Sequence, residues 1–374
     1  MPNTFITTKK IAREGLPILK NNLVVPALFR TDFSKEFANI GDTIQVKKPN
    51  IFEGKDFADG DSVTVQEINQ KSVDVKMDKI ADISVEITAK ELALNPFEFK
   101  RDVIEPAFVA LAEKINGAGL EMYKKTYKSI GTSGTTPDGL DDFANARKEL
   151  NKAKAPLKDR YAVWDPDADA KFSILDAICN AEKSGSTEAL REGSIGRIQG
   201  LENFMAQQIK THTAGTFTAV TTPLTAAATA AGATQISLDG GSGTETLKEG
   251  DLLTIGTQKF VVTEDATAVS GAITAKVYPA VQTAIADNTA VVFLDKTAGG
   301  HVANLAFNRN AFAFVSRPLP LPVSGQEAYV IVYDGITFRV VYGYDQTKKK
   351  NMLSIDTLYG FAPLYPSLAT RILG

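Results

Sequence analysis

The chain has 374 residues, 44% of them hydrophobic and 23% charged, which excludes pervasive disorder and leaves room for two or three folding units. Its 41 basic and 44 acidic residues give a net charge of −3, against a dedicated nucleic-acid binder, which would carry a basic excess or stripe. One cysteine, Cys179, excludes an internal disulfide; no stretch approaches the ~18–20 apolar residues of a membrane span, and MPNTFITTKKIAREG holds no apolar signal core, so a soluble protein of a reducing cytoplasm is expected.

Residues 1–35 read as an arm. Ile11, Leu19 and Leu23 fit short helical pieces, and Gly15 and Pro17 are expected to interrupt any single long helix. Residues 42–88 read as β-structure. Ile44 and Val46 alternate with polar neighbours, as do Val63 and Val65. Val73, Val75, Met77, Ala81, Ile83, Val85 and Ile87 then keep one parity, interrupted at Lys79. The pattern predicts one long strand, or two collinear ones, with one covered face. Between the strands, IFEGKDFADGDS at residues 51–62 predicts a long, solvated hairpin tip.

Residues 96–128 predict one long helix. Ile104, Phe108, Leu111, Ile115, Ala118 and Met122 form its apolar stripe, with Asn95 as cap and Pro96 at the first position. Helical throughout, it would span about 45–50 Å at ~1.5 Å per residue. Pro106 should kink it or delay its regular start. After the loop GTSGTTPDG come a shorter helix with Leu140, Phe143 and Leu150 on one face, and a strand from Tyr161 to Trp164. Asp165 then caps another helix, with Pro166 at its first position and Phe172 and Leu175 facing inward. Cys179 closes that apolar stretch and reads as a small buried side chain.

From residue 213 the composition shifts sharply to threonine, alanine and glycine. Up to about residue 298 the chain reads as short strands (QISL, DLLTIG, KFVV, AITAKV, AVVFL), one of them bracketed by Gly250 and Gly256. This predicts a small all-β module inserted into a mixed α/β protein. Residues 305–374 return to longer alternating strands. Phe312 and Phe314 share one face; Ile336, Phe338, Val340, Tyr342 and Tyr344 share another. The run Lys348-Lys349-Lys350 reads as a solvated tip between strands.

Catalytic and metal motifs are sparse. The two histidines, His212 and His301, flank the inserted module, where its first and last strands could run side by side. Their closeness is read as coincidence at a loop boundary in preference to a metal or catalytic role, since a metal needs three or four ligands. Asp165, Asp167 and Asp169 imitate the start of a calcium loop, but Ala170 stands where glycine is required and Asp176 where glutamate is. No nucleophile elbow follows the G-x-S-x-G pattern, and no Gly-Lys-Ser/Thr follows Gly131 and Gly134. These residues assign no catalytic site, cofactor or metal.

Four segments carry a resemblance: LREGSIGRIQGLENFMAQQI (190–209), KEGDLLTIGTQKF (248–260), NLAFNRNAFAFVSRPLP (304–320) and LYGFAPLYPSLATRILG (358–374). With the order of elements they resemble the tailed-bacteriophage major capsid proteins of the Hong Kong 97-like fold. Within them they resemble the branch with an inserted β-barrel, as in the coat protein of the Salmonella short-tailed phage. The resemblance implies an α+β fold divided into an N-terminal arm (1–35), extended loop and peripheral-domain strands (36–90) and a spine helix (91–130). The first part of the axial domain (131–212), the inserted barrel (213–300) and the completion of the axial and peripheral domains (301–374) would follow.

It further implies a non-enzymatic subunit, made in the host cytoplasm and built into the virion capsid as hexamers and pentamers. Scaffolding protein and portal would be partners, DNA would be packaged without specific binding, and no membrane would be involved. On the hairpin tip, Glu53, Lys55, Asp56, Asp59 and Asp61 offer charges to a neighbouring subunit; the competing reading is a merely solvated tip, because surface ion pairs are typically worth under ~1 kcal/mol. Some relatives crosslink a lysine to an asparagine between subunits. Lys47, Lys48 and Lys55 lie near the right loop, but no partner asparagine is assignable, so the sequence assigns no crosslink. An encapsulin-type compartment shell and a surface adhesin stand as alternatives.

Overall fold

The period-two run after residue 71 forms two strands. In the computed structural model, which describes residues 8–31, 43–47, 72–87, 103–185, 187–294, 300–322, 326–333, 335–345 and 350–374, the strand Ser72–Lys76 pairs antiparallel with Thr43–Lys47. The break falls at Met77–Asp78, and Lys79 opens the second strand, Lys79–Ile87. Val75, Met77 and Ala81 are buried while Asp74, Lys76, Asp82, Ser84 and Glu86 are exposed, so the parity marks a covered face. Residues 51–62, with Val63 and Val65, lie outside the described residues.

The described chain divides into two compact units. The first comprises Met1–Pro17, Thr31–Phe108 and Ala313–Leu364. Its main sheet has five strands, in the order Phe312–Arg317, Lys350–Pro363, Ile336–Asp345, Glu327–Tyr333, with Lys79–Ile87 also paired to Lys350–Pro363. Arg339 and Asp356 are register partners and join by two hydrogen bonds, of 3.0 and 2.5 Å. Of the lysine run, only Lys350 is described, and it pairs with Glu86 at 2.7 Å.

Two helix expectations need correction. Thr8–Asn22 is one continuous helix, although Pro17 stands inside it. Ile11, Ala12 and Leu19 are buried along one face and Pro17 is exposed, so burial of an amphipathic face outweighs the lost hydrogen bond. Gly15 is required there: a Cβ would lie 2.0 Å from the Phe108 ring. Among the described residues, the predicted long helix is regular over Glu105–Leu120, about 24 Å at ~1.5 Å per residue, and does not run on to residue 128. It tightens into a 3-10 turn, Glu121–Lys125, and the chain is extended at Thr126. Pro106 sits in the first turn of this segment, and Ile104, Phe108, Leu111, Ile115, Ala118 and Met122 are all buried. Asn95 and Pro96 lie outside the described residues.

The second unit comprises Ile18–Arg30, Val109–Phe312 and Tyr365–Gly374. Its seven-stranded sheet runs Ser129–Gly131, Ala369–Leu373, His301–Asn308, Arg160–Trp164, Leu201–Met205, Arg197–Ile198, with Thr211–His212 beside His301–Asn308. The helix Leu140–Lys152 buries Phe143 and Leu150, with Leu140 partly buried against the same core. Phe143, Trp164 and Phe172 form an aromatic trio with ring centroids 4.6–5.1 Å apart. Asp165 caps Pro166–Ser173 as expected, accepting from the Asp167 amide at 3.3 Å. Cys179 departs from expectation: it is only partly buried, because the chain breaks into the short helices Asp176–Cys179 and Ala181–Ser184 and Ile174 turns outward, 77% exposed.

The inserted module is a small barrel. Its six strands run Val291–Phe293, Leu252–Ile255, Gln258–Val262, Ile273–Tyr278, Gln235–Asp239, Leu224–Thr225. The bridge between Leu224 and Ala290 brings the last strand back to the first and nearly closes the cylinder. Alternating strand residues fill it, including Leu238, Leu253, Phe260, Val262 and Phe293, together with Phe217 from the 3-10 turn Thr216–Ala219.

Candidate functional site

The barrel joins the rest of its unit at a buried polar root. Thr211–His212 leads into the module and His301–Asn308 leads out, and the two pair antiparallel with His212 opposite His301. The spatial neighbourhood inferred from the sequence is therefore present, with ring centroids 5.4 Å apart. Both imidazoles are buried, at 3% and 1% exposure. The crossing requires Gly300: its φ is +82°, and a Cβ would fall 1.9 Å from the His212 carbonyl oxygen.

His212 bridges barrel and core. Its Nε2 lies 2.9 Å from Asp251 Oδ1, and its Nδ1 lies 3.2 Å from the Tyr123 hydroxyl. One neutral tautomer satisfies both contacts, with Nε2–H donating to the carboxylate and Nδ1 accepting from the phenol. Asp251, fully buried, also accepts from the Gly215 amide at 3.1 Å and the Lys248 amide at 2.8 Å. Arg371, fully buried as well, donates to the Tyr123 carbonyl at 2.8 Å and stacks 4.8 Å above its ring. Around this network Lys125 pairs with Glu249, and Leu252 and Val261 pack with Leu373 and the Tyr127 ring.

This arrangement ties strands together and presents no reactive atom to solvent. An enzyme's acid–base pair must reach substrate, whereas these groups are enclosed on all the elements that supply them. Among the described residues no three His, Cys, Asp or Glu side chains are grouped so as to hold a metal. No described helix is long and apolar enough to cross a membrane. Glu53, Lys55, Asp56, Asp59 and Asp61, expected at a subunit interface, lie outside the described residues. Asp251, Tyr123 and Arg371 were not singled out by the sequence; only the Gly-Asp pair opening KEGDLLTIG was a signal, and it reads equally well as a strand start.

No family model matches the sequence, and no curated protein does. Among solved structures, one from Mycobacterium phage Che8 is similar over 94% of this chain and 90% of its own, at 14% identity and a TM-score of 0.52. The fold is the Hong Kong 97-like capsid fold. Also similar are the capsid structure of the cyanophage P-SCSP1u (13% identity, 92% of this chain and 86% of that one, TM-score 0.49) and a structure from Gordonia phage Cozz (12%, 94%, 86%, 0.45). In this Hong Kong 97-like chain the barrel hangs from the seven-stranded sheet by two adjacent strands, and the His212 network locks the junction.

Proposed function

We propose that the protein is the major capsid protein of a tailed bacteriophage, self-assembling into the icosahedral shell that encloses the genome. The observation that carries this reading is the Hong Kong 97-like fold over nearly the whole chain. Its role is structural, with copies of itself as the principal partners in hexamers and pentamers, and its place is the virion capsid. Many moderate contacts sum to a stable closed shell. A near-balanced charge suits a wall that holds DNA without gripping it, since a strongly basic face would bind phosphates tightly.

The finer assignment is the branch with an inserted barrel, supported by a six-stranded barrel between Thr211–His212 and His301–Asn308. Scaffolding protein and portal are the further partners. The strands Thr43–Lys47 and Ser72–Lys76 flank residues 48–71 in the sequence, and we propose that Glu53, Lys55, Asp56, Asp59 and Asp61 among them pair with a neighbouring subunit. Charge reversal at Asp56 and Asp59 tests this: lowered assembly yield with an unchanged subunit fold is expected, and unchanged yield would remove the assignment. For the function itself, sedimentation of the purified chain should reveal large closed particles. A chain that stays monomeric under every assembly condition would contradict it.

A further inference from the structure

We propose that the cleft between the barrel and the seven-stranded core is an oxyanion site, taking a small ligand by a phosphate or carboxylate group through Lys128, Lys152 and Lys259. The cleft is open to solvent on one side and has a volume of about 390 Å³. That lies within the ~300–1,000 Å³ of small-molecule sites and is too small for a nucleic-acid helix. Lys128, Glu149 and Lys152 line it from the core side, and Lys259 and Gln258 from the barrel.

Three lysines and one glutamate thus line the cleft. Glu149 is engaged by Lys152 at 3.0 Å. The other two cations donate to neutral carbonyls, Lys128 to Ser367 O and Lys259 to Ser129 O, both at 2.9 Å. A carbonyl orients an ammonium without neutralising it, and each ammonium has three donors, so both keep capacity for an anion. Burial, with the nearby Lys152 and Lys259 charges, holds Lys128 below the ordinary lysine range despite the opposing pull of Glu149. An oxyanion among the three would relieve that repulsion through charge-assisted hydrogen bonds.

The barrel wall is also fixed in advance. The Gln258 side chain accepts from the Gln282 and Thr283 amides, at 2.8 and 3.1 Å, and donates to the Thr283 carbonyl at 2.9 Å. A pocket held this way loses little entropy on binding. Because its walls come from both barrel and core, an occupant would clasp the two together.

Titration calorimetry of the purified full-length chain is the test, with inorganic phosphate in one arm and citrate in the other, at ionic strength held constant by chloride. Saturable binding of either anion is expected, and the better arm identifies the group as phosphate or carboxylate. Lys152→Gln, at an exposed position that leaves the fold intact, and Lys259→Gln should each weaken binding by roughly tenfold, the scale of one charge-assisted bond. Glu149→Gln should strengthen it. Lys276→Gln, which breaks a surface pair with Glu264 elsewhere on the barrel, should leave it unchanged. Absence of saturation with both anions, or equal affinities in all four variants, would overturn the proposal.

Discussion

The barrel's interior and its root are equally buried and chemically opposite. Inside, Phe217, Leu253, Phe260 and Phe293 fill a cylinder by volume, and the stabilisation is nondirectional. At the root, Asp251, His212 and Tyr123 are joined by directed contacts of 2.9 and 3.2 Å that are satisfied in one geometry. An apolar interior makes the barrel a stable body, while a polar junction sets how it is held. Buried polar groups left unpaired are costly, so alternative attachments are penalised.

The largest effect is expected inside. Phe260→Ala should destabilise by about 3–5 kcal/mol in denaturant titration and strip hydrogen-exchange protection from every barrel strand. At the root, Asp251→Asn should cost about 1–3 kcal/mol, because the imidazole and two backbone amides lose a charged acceptor. Its exchange signature should differ: the Gly215 and Lys248 amides lose protection while Gln258–Val262 keeps it. Uniform loss across the barrel would erase the distinction between interior and root. Tyr123→Phe should be milder, about 0.5–1.5 kcal/mol, removing one hydrogen bond while keeping the ring under Arg371.

The smallest effect lies on the barrel surface. Glu245 is held at about 2, against an ordinary 4.5, first by the Ser242 hydroxyl and then by the amides of Ser242 and Gly243. A depressed carboxylate stabilises the fold above its unfolded value, and that contribution fades as pH falls from 4.5 towards 2. Glu245→Gln should therefore flatten this part of the acid-unfolding curve, and an NMR titration of Glu245 should show no midpoint near 4.5.

What was legible in the sequence follows the same division. The barrel strands announce themselves by alternation, because an apolar interior writes period two into Ile273–Tyr278. Asp165 and Pro166 mark a helix start through local chemistry alone. The closeness of His212 and His301 followed from topology, since an inserted module must leave near where it begins. Their partners were hidden, because Asp251, Tyr123 and Arg371 meet only in three dimensions. Local rules also misread the chain in both directions: burial of an apolar face carries Pro17 within a continuous helix, while a break between two short helices leaves Cys179, in an apolar run, partly exposed.

The shell reading is tested most directly by cryo-electron microscopy of particles assembled from the purified full-length chain. Closed icosahedral shells are expected, with each subunit showing the barrel as a separate lobe joined through the His212–His301 strand pair. Only unassembled chains, under every condition tried, would contradict the account.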